Sequence, residues 1–158
     1  IVEAANFNCP GQVVIAGEVQ AVQHAVQLAK QKGAKKAIIL AVSAPFHCSL
    51  LKPAADNLAK ELNWVEIKDN KIPVVSNVNA DFAKGSIDIK QLLIRQVSSP
   101  VLWEDSVRKM VEFGVDTFVE IGPGKALCGF VKKIDRKLTT LNVEDTASVQ
   151  KAIKHFGG

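Results

Sequence analysis

The chain has 158 residues, 47% of them hydrophobic and 23% charged, with a formal net charge of +4. This size and balance describe one globular domain, or one domain with a small appendage, able to bury a sizeable core. They leave no apolar run near the ~20 residues of a membrane span, and no basic stripe with interleaved aromatics of the kind that binds nucleic acid.

Mean hydropathy is +0.12 and the pI is about 9.0, a modest excess that favours an anionic partner. Cys9, Cys48 and Cys128 are too widely spaced for a disulfide framework or a metal site, and His24, His47 and His155 also lack ligand spacing, so no metal is expected. No basic-then-apolar signal opens the sequence, which makes a cytoplasmic location the default expectation.

The first segment, Ile1 to Asn8, has the pattern of a strand. Cys9-Pro10-Gly11 is a turn, and Gln12 to Gly17 is a second strand, so the two are predicted to pair as a hairpin. Period-2 alternation puts Asn6 and Asn8 on one face and Phe7 on the other. With Gln12 these amides can line a polar groove or simply face solvent, and the spacing leaves both readings open.

Residues 18–32 have a helical pattern, with Val19, Val22, Val26 and Ala29 on one stripe and Gly33 as the stop. His24 falls on the polar side. Ala37 to Val42 is an unbroken apolar run of strand length, predicted to be a buried strand. It leads into Ser43-Ala44-Pro45-Phe46-His47-Cys48-Ser49, a corner between strand and helix that can present His47 to a cleft. Histidine is the side chain best suited to proton transfer near neutral pH. The next helix carries Leu51, Ala55, Leu58 and Leu62 inward, and Pro53, tolerated only in a first turn, sets its start near Ser49 or Leu50.

Ile72 to Val78 is predicted as a strand with Pro73 at its entry, followed by a loop. Helices follow over Ile87 to Val97 and Trp103 to Phe113, then a strand over Thr117 to Ile121 and a helix to about Ile134. A strand from Leu138 to Val143 and a helix from Ser148 to Phe156 close the chain. This alternation predicts an α/β sheet packed on both faces. Between strand and helix, Gly122-Pro123-Gly124-Lys125 has the glycines of an anion cradle but not the spacing GxxxxGKS or GxGxxG, so a tight turn is the better reading.

Four motifs occur in order: NFNCPGQVVIAG at 6–17, SAPFHCSLLKPAAD at 43–56, IRQVSSPVLWEDSV at 94–107 and EIGPGKALCGFVKKI at 120–134. Together they resemble the second half of the malonyl-CoA:acyl carrier protein transacylases of fatty-acid synthesis, over essentially the whole chain. The resemblance implies an α/β fold in two parts: residues 1–41 as the remainder of a ferredoxin-like small subdomain, and 42–158 as the C-terminal part of a large subdomain with an α/β-hydrolase-like core.

It also implies roles for single residues. His47 matches the catalytic base, and Gln96 the position whose backbone carbonyl orients the imidazole, the job of aspartate in a full triad. Asn6, Asn8 and Gln12 match positions beside the pantetheine arm and the mouth of the site. Phe46 matches a position bordering the acyl pocket, where some family members have a smaller residue. Lys35 and Lys36 match a basic pair that meets coenzyme A phosphate or carrier protein.

The implied partners are malonyl-CoA, acyl carrier protein and the half that carries the nucleophilic serine, with coenzyme A thioester as substrate and no tightly bound cofactor. That serine is not here, for no serine of this sequence sits in a GxSxG elbow. The alternative is a non-catalytic module that binds carrier protein or coenzyme A; neither nucleic acid nor membrane is an expected partner.

Overall fold

The computed structural model describes residues 1–157. Strands β1 (Val2–Cys9) and β2 (Gln12–Gly17) form the predicted antiparallel hairpin around Gly11. Helix α1 (Val19–Gln31) follows, and Gly33, at φ +92°, lets the Ala34 N–H return to the Ala29 carbonyl at 2.9 Å and close the helix end. His24 is exposed on α1, as its place on the polar stripe predicts.

Beyond the His47 corner, a short 3₁₀ turn (Ser49–Leu51) runs into α2 (Lys52–Leu62), with Pro53 in the first turn of the helix. Strands β3 (Val75–Ser76) and β4 (Asp81–Phe82) form a minimal antiparallel pair. Helices α3 (Ser86–Val97) and α4 (Trp103–Glu112) come next, the latter closed by Gly114 at φ +103°. β5 (Thr117–Ile121), α5 (Ala126–Ile134) and β6 (Thr139–Val143) form a βαβ unit with its strands parallel and in register from Thr117–Thr139 to Ile121–Val143. α6 (Thr146–His155) starts two residues before the predicted Ser148, because Asp145 and Ser148 make a reciprocal capping box.

The core sits where α4, α5 and β6 meet. Val107, Val131 and Leu138 are buried there, with Trp103, Met110, Val111, Phe118 and Ile134 packed around them. The hairpin joins this body through backbone bonds from Phe7 N–H to the Val101 carbonyl, 2.9 Å, and from Val101 N–H to the Ala5 carbonyl, 2.8 Å.

Two expectations need correction. The single sheet packed on both faces is instead three separate two-stranded sheets among the described residues. The apolar run at Ala37–Val42 is not a buried strand: it takes no strand conformation, and Ile38 and Val42 are 72% and 64% exposed. The physical reason is common to both. A strand exists only where another strand takes up its N–H and C=O groups, and nothing among the described residues pairs with this run. The strand predicted over Ile72–Val78 shrinks to Val75–Ser76 for the same want of a partner, with Pro73 lacking a donor altogether.

Candidate active site

The His47 corner is strained and anchored. His47 has φ +60°, the left-handed region, which costs a non-glycine residue roughly 1–2 kcal/mol per residue. Such conformations persist where the surroundings over-determine them, and they cluster at functional positions.

Three contacts supply the determination here. His47 Nδ1 lies 3.0 Å from the backbone carbonyl oxygen of Gln96, near the end of α3. Cys48 is buried and its thiol donates to the Pro45 carbonyl at 3.2 Å. Glu3, on β1, accepts from the Ser49 N–H at 2.8 Å and from the Ser49 hydroxyl at 2.5 Å. These two bonds hold the Glu3 carboxyl below its usual range.

The contact with Gln96 has a chemical consequence. A carbonyl oxygen only accepts, so the bond requires the imidazole proton on Nδ1 and leaves the Nε2 lone pair free. A neutral carbonyl fixes this tautomer without adding a formal charge.

The amides occupy the first hairpin. The register of β1 against β2 slips twice, between Ala4 and Asn6 and between Phe7 and Cys9. Bulges of this kind bend a strand and re-aim its side chains, and they occur often beside active sites. Asn6 and Asn8 share one face and are half-buried, as alternation predicts, while on the other face the bulges leave Phe7 37% exposed between the buried Ala5 and Cys9. Gln12 folds over the turn and accepts from the Cys9 thiol at 3.4 Å. Phe46 stands beside His47, 51% exposed. Lys35 and Lys36 are exposed on the segment between α1 and the corner.

The Gly122-Pro123-Gly124-Lys125 turn is occupied from within the chain. Glu144 accepts from Gly124 N–H at 2.7 Å, and Glu120 accepts from Cys128 N–H at 2.8 Å and Leu127 N–H at 3.2 Å. Desolvation pushes the Glu120 carboxyl up, but these helix-end N–H groups outweigh it and hold it below its usual range. Donors that an anion would need are already taken by carboxylates, in line with the tight-turn reading. Glu3, Glu120 and Glu144 were not legible as anchors from their immediate neighbours.

Among the described residues no group of three or more histidine, cysteine and acidic side chains could hold a metal ion, and no helix is long and apolar enough to cross a membrane.

The acyl transferase domain model matches residues 1–157. The malonyl CoA-acyl carrier protein transacylase of Bacillus subtilis is 51% identical over 154 residues, which are 98% of this chain and 49% of that protein. The crystal structure of the transacylase of the same name from Clostridium perfringens superposes with a TM-score of 0.93 at 51% identity, covering 99% of this chain and 49% of that one. A malonyl-transacylase solved in complex with a type II PKS acyl-carrier protein gives a TM-score of 0.96 at 46% identity, covering 98% and 50%. The chain thus spans about half the length of the relatives it matches, with their mixed α/β fold over that half. It belongs to the acyl transferase domain family and, within it, to the malonyl-CoA:acyl carrier protein transacylases.

Proposed function

We propose that this chain is the histidine-bearing, C-terminal half of a malonyl-CoA:acyl carrier protein transacylase, whose nucleophilic serine is supplied by the remainder of the enzyme. The observation that carries the proposal is the bond from His47 Nδ1 to the Gln96 carbonyl at 3.0 Å, which reserves Nε2 for proton transfer. In the reaction, Nε2 takes the proton of the serine hydroxyl as its oxygen attacks the malonyl thioester carbonyl. The tetrahedral intermediate collapses, and the imidazolium returns the proton to the departing coenzyme A thiolate. In the second half-reaction Nε2 takes the proton of the carrier protein's phosphopantetheine thiol as its sulfur attacks the malonyl-serine ester, and the imidazolium returns it to the departing serine oxygen.

In this reading residues 1–41 complete a ferredoxin-like small subdomain and 42–158 an α/β-hydrolase-like large one. The exposed run Ile38-Ile39-Leu40 then becomes a paired strand when the remainder of the enzyme covers it. Asn6, Asn8 and Gln12 flank the pantetheine arm. Coenzyme A enters as thioester substrate, and no tightly held cofactor takes part. The test is malonyl transfer from malonyl-CoA to holo-acyl carrier protein by this chain combined with a polypeptide carrying the GxSxG half. A folded mixture that forms no malonyl carrier would overturn the proposal.

Two consequences concern selectivity and docking. Phe46, beside the base, borders the space for the malonyl α-carbon, and a bulky ring there leaves little room for an α-methyl. Overpacking costs about 1–3 kcal/mol, or roughly 10–200-fold in discrimination. In the assembled enzyme, Phe46→Ser is expected to raise the rate with methylmalonyl-CoA relative to malonyl-CoA. Unchanged relative rates for the two thioesters would remove Phe46 from the acyl pocket.

Lys35 and Lys36 are free to meet an acidic carrier protein. Charges at the rim of an interface act mainly on the association rate and its salt dependence. The double change to Glu is expected to raise the KM for carrier protein, most at low ionic strength. A KM and salt slope equal to those of the unaltered enzyme would make the pair ordinary solvated charges.

A further inference from the structure

The start of the helix behind His47 is capped from an unexpected direction. Neither Cys48, at the N-terminus of the 3₁₀ turn, nor Leu51, at that of α2, supplies a side-chain cap. Ser49 occupies the first position of the turn, and both its N–H and its hydroxyl go to one carboxylate, Glu3, from a strand 46 residues earlier. A carboxylate is the right group for this place, because the first turn of a helix presents unpaired N–H groups and a positive dipole end. Its position on the hairpin is the informative part. A local cap would have sufficed to start the helix, whereas Glu3 ties the helix start to the strand that carries Asn6 and Asn8.

We infer that Glu3 is a positioning residue for His47, fixing the backbone two residues beyond it so that the imidazole meets the Gln96 carbonyl and the reacting hydroxyl in one orientation. The inference rests on reading His47 as the base. Its logic is that of a two-point mount. The ring is held at Nδ1 by Gln96 and the chain is held at Ser49 by Glu3, with the buried Cys48 thiol bonded to Pro45 between them. A residue with φ +60° is not kept there by its own preference. Release of the Ser49 mount lets the corner relax, and the ring then samples positions away from the line of proton transfer. Because the clamp is exposed, its loss takes little from the stability of the whole fold.

The test uses the assembled two-part enzyme with Glu3→Ala, Glu3→Gln and Ser49→Ala, each alone and Glu3→Ala also in a His47→Ala background. Misplacing a catalytic group by about an ångström costs up to roughly a hundredfold in rate. Glu3→Ala is therefore expected to lower kcat for malonyl transfer by about tenfold or more, with the KM for malonyl-CoA and the melting temperature nearly unchanged. Glu3→Gln keeps one acceptor and is expected to recover most of the rate. Ser49→Ala keeps the backbone bond and should lie between. In the His47→Ala background, Glu3→Ala is expected to have no further effect, since it acts only through the imidazole.

Full kcat in Glu3→Ala, or an equal fractional loss with and without His47, would overturn the inference. Should His47→Ala itself retain the full rate, the proposed function falls and this inference with it. An inactive His47→Ala beside a fully active Glu3→Ala sinks the inference alone.

Discussion

Incubated alone with malonyl-CoA, the purified chain is expected to gain no malonyl group and to transfer none to carrier protein. A histidine base accelerates nothing unless a hydroxyl lies within hydrogen-bond reach of Nε2, and no serine of this sequence occupies the strained GxSxG elbow that presents one. The donors that stabilise a tetrahedral oxyanion are often the largest electrostatic contribution to acyl transfer. In the proposed arrangement they too come from the other half.

Loss of a nucleophile costs on the order of 10⁴–10⁶ in rate in hydrolases built on the same logic. The exposed apolar side chains of Ile38, Ile39, Leu40 and Val42 point the same way, since an uncovered patch of this kind promotes self-association. Intact mass after incubation decides the matter. A stable gain of one malonyl group on a serine of this chain would show that the nucleophile lies within it. Addition of the GxSxG half should restore transfer and, by covering the patch, reduce aggregation.

What could be read from the sequence follows the range of the forces involved. The amphipathic helices α1, α2, α3 and α4 and the hairpin around Gly11 were legible because period, stop residue and turn chemistry all act within a few positions. The run at 37–42 was not. Its composition is that of a buried strand, but burial and pairing depend on neighbours, and among the described residues no strand pairs with it. Alternation put Asn6 and Asn8 on one face, where the structure has both half-buried, but it does not foresee the two bulges that bend the strand.

In the site, His47 stood out by residue type and by its place at a corner, whereas its partner at Gln96 is a backbone carbonyl and carries no side-chain signal. Only the resemblance to the transacylases pointed to that position. Glu3 carries no signal of its role in the sequence. It is a single acid near the start of an apolar strand, and its partner Ser49 lies 46 residues away. A long-range cap of this kind is invisible to any rule built on i, i+3 spacing.

Replacement of His47 in the assembled enzyme is expected to have the most severe effect of any single change in this chain. One imidazole serves both half-reactions, as base towards the serine hydroxyl and then the carrier thiol, and as acid towards the leaving coenzyme A thiolate and then the leaving serine oxygen, so its loss reaches every chemical step. General acid–base assistance contributes about 10²–10⁴-fold, and removal of the histidine from a coupled serine–histidine unit costs up to roughly 10⁶. His47→Ala is therefore expected to reduce malonyl transfer by about 10³-fold or more, with the KM for malonyl-CoA little altered.

The choice of replacement separates chemistry from loop shape. Asparagine tolerates the left-handed conformation well, so His47→Asn should keep the corner at φ near +60°, but its amide cannot accept a proton at neutral pH. If His47→Asn and His47→Ala fall equally in rate while both retain the melting temperature of the unaltered enzyme, the loss belongs to the proton transfer. The direct readout is the rate at which malonyl appears on the partner's serine in a single turnover, followed by intact mass. A His47→Asn enzyme that loads this serine within tenfold of the unaltered rate would remove His47 from the role of base, and the Nδ1 contact with Gln96 would then be only a means of closing the corner.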